Sequence, residues 1–211
     1  MSDWVTISSL ATAGGTLVLA AATFGSVRSA SRSSRLAERS LLAAQRPVLI
    51  PSREDDSPER VMFGEGHRVT VEGHGGVLDV FEGHIYMAIG LRNAGAGIAV
   101  LHGWHVAPYA QDTLHERPAL EAFRRQQRDL YIPAAGNGFW QGAIRDRADP
   151  SYDGLRAAAQ DGTRLMLDLL YSDHEGGQRA IARFGVTVNE EESGRSANVV
   201  RYWNVDRDDP R

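Results

Sequence analysis

The sequence predicts a mainly β protein: an antiparallel β-sandwich behind one N-terminal transmembrane helix and a short juxtamembrane helix. Three observations carry this reading. Residues 4–27 hold neither a charge nor a proline, residues 28–46 set five arginines along one helical stripe, and from Pro47 onward apolar residues alternate with period two between turn-forming residues. The expected boundaries are a tail at 1–3, the spanning helix at 4–27, the basic helix at 28–46, the sandwich at 47–206 and a tail at 207–211.

The spanning segment, WVTISSLATAGGTLVLAAATFGSV, has 24 residues. At ~1.5 Å per residue a helix of that length crosses the ~30 Å hydrocarbon layer with some tilt. Trp4 suits the interfacial belt, and the hydroxyls of Thr6, Ser8, Ser9, Thr12 and Thr16 can bond back to helix carbonyls. The competing reading is a signal peptide cleaved near Ala20–Ala22, which would free an exported ligand-binding sandwich. Such peptides need a positive leading region, and the first four residues hold Asp3 and no Lys or Arg. Ala11 with Gly15, and Ala21 with Gly25, are four apart, a spacing that permits close approach of two helices and hence a homodimer.

In the basic segment Arg28, Arg32, Arg35, Arg39 and Arg46 are spaced 4, 3, 4 and 7, so all five fall on one stripe and are assigned to lipid phosphates. A solvated face would show the same pattern. Pro47 ends the helix by biasing Arg46 away from helical angles. Residues 1–50 carry +3, from five arginines against Asp3 and Glu38, so the rest of this −4 chain carries −7. An acidic body argues against nucleic acid as a partner. The five-to-zero arginine bias across the span places the sandwich in the cytoplasm. The chain has no cysteine, which excludes disulfides and thiolate metal sites.

Beyond Pro47 the strands read in order are PVLIPS, HRVTVEG, EGHIYMAIGLRN, IAVLHGWHVAPY, RDLYI, GNGFWQGAI, TRLMLDLLYSD, RAIARFGVTV and NVVRYWNVD. REDDSPER reads as an acidic loop, PALEAFRRQQ as a short helix opened by Pro118, and PSYDGLRAAAQDG as a helical turn. The expected core includes Ile85, Met87, Ile89, Leu91, Val100, Trp104, Leu165, Leu167, Leu169, Phe184, Val186 and Trp203. Short strands with a turn about every ten residues and only two helical patches indicate a sandwich rather than a doubly wound sheet.

GLRNAGAGIAVLHGW resembles a phosphate loop at first sight. A dinucleotide fingerprint needs a sixth-position glycine and a following helix; counted from Gly95 that position is Val100, inside a strand pattern. No Lys-Ser/Thr follows, so the P-loop fails as well. The glycines are therefore expected to give positive φ in a strand connection, with Asn93 bonding nearby backbone. QRPVLI, LRNAGAGIA and the hairpin YSDHEGGQRAIARF with NVVRYW resemble a pattern in uncharacterised bacterial proteins. Those are single-pass, membrane-anchored proteins with an immunoglobulin-like β-sandwich domain. The resemblance implies a membrane-tethered module and brings no catalytic residues.

Candidate chemistry is thin. His102 and His105 are three apart, which in a regular strand points them to opposite faces, and His67, His74 and His84 have no ligand spacing. Asp146, Asp149 and Asp153 miss the calcium-loop spacing and read as turn and cap residues. Asp168 faces away from Leu165, Leu167 and Leu169, so it is expected to be solvated. Trp104, Trp140 and Trp203 are expected in the core. No cofactor motif is present. The leading expectation is a non-enzymatic binding or scaffolding module for an unknown protein partner, with a metal-assisted hydrolase using the histidine-rich loops as the alternative.

Overall fold

The computed structural model describes residues 2–187 and 196–209, with side chains from residue 14 onward except residue 18. It divides into two units, Met1–Ala44 and Gln45–Arg211. The first unit is one α-helix, α1 (Ser2–Ala44). The separate helices expected at 4–27 and 28–46 are therefore one, since no proline interrupts the sequence between them. α1 stops at Ala44 rather than Arg46, because a residue before proline avoids helical angles. Leu17, Leu19, Phe24 and Val27 are exposed on it, and the Thr23 hydroxyl donates back to Leu19 O at 2.8 Å. No helix is long and apolar enough to cross a membrane among the described residues. Trp4 and Ala11 lie outside the described side chains.

The second unit is mainly β, as predicted, with antiparallel pairing; strands make up 42% of the chain. Its elements are β1 (Leu49–Pro51), β2 (Glu59–Met62), β3 (Arg68–Val71), β4 (Gly76–Phe81), β5 (His84–Asn93), β6 (Ala99–Pro108), β7 (Arg124–Ile132), β8 (Asn137–Ile144), α2 (Tyr152–Asp161), β9 (Leu165–Ser172), β10 (Ala180–Thr187) and β11 (Ser196–Asn204). In one sheet β5 pairs with β1, β4 and β8, a second runs β11-β10-β9-β6-β7, and β2 pairs with β3 in a third. The alternation in β5 sends Ile85, Met87, Ile89 and Leu91 into one core with Leu165, Leu167, Leu169 and Phe184 from the facing sheet. Tyr86 and Ala88, on the other face of β5, are buried in a second core by Val61, Phe63, Val69 and Val71, from the β2–β3 hairpin and the turn after β2. β5 is thus covered on both faces.

Two details depart from expectation. PALEAFRRQQ gives only a 3-10 turn at Leu120–Ala122, and β7 begins at Arg124. The reason is pairing: Arg124 and Arg125 register with Trp104 and Gly103 of β6, and that ladder overrides local helix preference. The register of β6 also shifts between Leu101 and Gly103. This bulge puts Trp104 in the core and leaves Val100, expected there, only half-buried.

Candidate functional site

Arg28, Arg32, Arg35 and Arg39 are exposed on α1, on the stripe their spacing predicts. Arg46 is not among them. It follows the helix, in the second unit, and its Nη2 donates to Asn204 Oδ1 at 2.6 Å. Partial burial, with Arg207 nearby, lowers its pKa. The side chain is engaged by the β domain rather than carried on α1.

The glycine stretch packs against the same corner. Asn93 is fully buried: Oδ1 accepts from Val48 N at 3.1 Å and Gly95 N at 2.9 Å, while Nδ2 donates to Gly97 O at 2.6 Å and Ile132 O at 3.2 Å. Neither Gly95 nor Gly97 has positive φ, contrary to expectation. They are glycines because the incoming chain lies directly on them. A Cβ at Gly95 would overlap Arg46 O and Val48 N, and one at Gly97 would overlap Gln45 O. Tyr202 Oη closes the corner on Leu49 O at 2.5 Å. QRPVLI, LRNAGAGIA and NVVRYW, scattered in sequence, are one structural joint with no room for a phosphate.

The histidine-bearing face of the five-stranded sheet is also structural. Asp168 is 0% exposed rather than solvated. Arg183 grips it in a bidentate pair, Nε to Oδ1 at 2.6 Å and Nη2 to Oδ2 at 2.9 Å, and His105 Nδ1 lies 3.2 Å from Oδ2. The segment between β6 and β7 covers this pair, because Arg183 Nη1 also donates to Thr113 O and Leu114 O. Trp203 is buried between Arg183 and Arg201, whose guanidinium carbons lie 4.9 and 5.5 Å from its ring. It belongs to this layer, not to the core between the sheets. The β6 bulge lets His102 share a face with His105, but Nε2 of His102 meets Ser172 Oγ at 2.6 Å. Ser172 Oγ in turn donates to Asp173 O at 2.6 Å, so His102 does not act as its base. Burial, with Arg179 nearby, holds the His102 pKa below its ordinary value. Among the described residues no three His, Cys, Asp or Glu are placed to hold a metal. Asp146 and Asp149 accept from Ala148 N and Ser151 N, as turn residues do.

A cleft of about 1010 Å³ lies between β7 and β8, bounded by the turn after β2. Its floor is Gln141–Ala143 with Trp104 behind, and one wall is Arg124–Asp129. Trp104 meets Trp140 edge to face at 5.4 Å, and Arg124 lies over the Trp104 ring at 5.2 Å. Two of the four lining arginines are fixed. Arg124 forks onto both oxygens of Asp149, and Arg145 Nε and Nη2 each reach Glu65 at 2.9 Å. The Arg124 fork depresses the Asp149 pKa. Arg145 holds Glu65 down to about 2, and burial, with Glu65, pushes Tyr86 up to about 12. Tyr86 Oη donates to Glu65 at 2.7 Å, so the cleft rim is braced by a shared network. The side chains of Arg125 and Arg128 are exposed in the cleft and form no ion pair or hydrogen bond among the described residues. Asp129 is the one acidic side chain in the lining. The sequence signal for this cleft is RRQQR, which read within a short helix is not placed beside β8.

Comparisons with protein-family models, curated proteins and solved structures find no match to this chain.

Proposed function

We propose that the chain is a single-pass, membrane-tethered, non-enzymatic binding module of the cell membrane, with the cleft between β7 and β8 as its protein-binding surface. The observation that carries this reading is the division of labour among the cleft arginines. Arg124 and Arg145 are held rigid by carboxylates, whereas Arg125 and Arg128 line the same cleft with their donors open. A rigid wall carrying unused planar donors suits recognition of carboxylates.

The anchor rests on the uncharged stretch 4–27 and on Leu17, Leu19, Phe24 and Val27, exposed on α1 where lipid would cover them. Arg28, Arg32, Arg35 and Arg39 then lie along the headgroups. An immunoglobulin-like assignment for the domain is favoured by the arrangement in which β1, β4, β5 and β8 form one sheet and β11, β10, β9, β6 and β7 a second.

The test is proximity crosslinking with the full-length chain in its own membrane, comparing wild type with an Arg125→Ala, Arg128→Ala variant. Proteins crosslinked by the wild type and lost from the variant support the cleft. An identical crosslinked set from both excludes it as the binding surface.

A further inference from the structure

We propose that the cleft takes an extended, acidic segment of another protein as an added strand on β8, an inference that rests on the binding-module reading above. β8 pairs with β5 along one edge, Ile85 to Arg92 against Ile144 to Asn137. Gln126 Nε2 donates to Gln141 O at 3.1 Å, so the Gln141 main-chain groups point away from β5 and into the cleft. Main-chain direction alternates along an antiparallel strand, so the groups of Phe139 and Ala143 point the same way. An open edge of this kind is a template for one more strand. The Gln126 side chain meets one of its acceptors in place of a partner strand.

The register of β7 leaves room for that strand. Leu130 pairs with Leu101 and Arg125 with Gly103, so residues 126–129 lie opposite His102 alone and bow out of the ladder. The outward main-chain carbonyls of Phe139, Gln141 and Ala143 are acceptors that peptide N–H groups meet at strand spacing. A free phosphate has acceptor oxygens for the arginines but no such row of donors. Arg125 and Arg128 outnumber Asp129 in the lining, so the side chains of the added strand that face them are carboxylates.

The test uses the full-length chain in lipid nanodiscs and a fluorescein-labelled decapeptide of alternating Val and Glu, read by anisotropy. Two control peptides carry Gln for Glu, or N-methyl groups on the four central residues, which block both edges. The expected result is binding of the Val-Glu peptide, weakened at least tenfold by either control change. Ala143→Pro removes one outward N–H from β8 and is expected to weaken binding at least tenfold with the melting temperature kept. Equal binding of the N-methylated peptide, with loss on Arg125→Gln and Arg128→Gln, overturns strand addition and leaves the cleft as the binding surface. Equal binding of the Gln peptide overturns the acidic requirement. Val-Glu binding that ignores both arginine changes overturns this inference and the cleft reading together. Failure of every peptide to bind overturns the inference alone, since crosslinking decides the other.

Discussion

Asp168 and Arg183 show what a single buried charge pair does here. Both lie in central strands and are almost wholly enclosed, yet every polar atom of the pair named above has a partner on β9, β10, β6 or the covering segment. Removing one partner leaves the other charge buried and alone. Asp168→Ala is expected to cost about 3–5 kcal/mol in urea unfolding. Replacing Asp168 with Leu and Arg183 with Met together should cost much less. A double variant no better than Asp168→Ala alone would show that the pair is not coupled as described. Glu65 makes a milder case at the surface. Its pKa lies near 2 against an ordinary 4.5, so it contributes stability above pH 4.5 that is lost as pH falls toward 2. The urea midpoint should therefore fall between pH 5 and pH 3, and less steeply in Arg145→Met; equal slopes would remove Glu65 from the acid response.

At the scale of elements, the joint around the glycine stretch is the most constrained feature. Gly97→Val forces a side chain into the Gln45 carbonyl, and no rotamer relieves a clash with backbone. The expected cost is about 1–3 kcal/mol in chemical denaturation, with Ser as costly a replacement as Ala because both bring a Cβ. An unchanged midpoint would mean that Gln45 and Pro47 do not sit on the loop. That a turn lay here was legible from two glycines between apolar runs; the reason for them was not, because it resides 50 residues upstream in chain order. The strands of the main core were legible for a local reason: period-two alternation in β5, β9 and β10 reports which face meets the opposite sheet. Where a second layer covered the outer face, alternation carried no such report. Asp168 therefore read as solvated, and β2 and β4 were not read as strands. RDLYI was read correctly as strand, but the start of β7 was misread because RRQQ favours helix in isolation and only its pairing with β6 makes it extended. With β7 went the cleft, since its arginines converge only once that strand stands beside β8.

At the scale of the molecule, the membrane-tethered reading proposed above raises one question, which is on which side of a bilayer the domain from Gln45 onward would lie. Positive residues within ~15–20 residues of a transmembrane end favour the cytoplasmic side, and acidic residues contribute little. Beyond residue 27 stand Arg28, Arg32, Arg35 and Arg39 on the exposed helix surface. Arg46 is held by Asn204 and drops out of the stripe, which leaves four arginines on that side. Each arginine near an anionic leaflet contributes on the order of 1 kcal/mol of attraction. The domain from Gln45 onward is accordingly expected in the cytoplasm. A C-terminal fluorescent protein that matures only there should be bright, and an alkaline phosphatase fusion at the same position inactive. Changing the four stripe arginines to Glu should weaken or invert that pattern, while Arg46→Glu alone should leave it intact and lower the domain's melting temperature. An active phosphatase fusion on the unmodified chain would put the domain outside. Mass measurement of the mature N-terminus would then decide between an inverted anchor and cleavage near Ala20–Ala22.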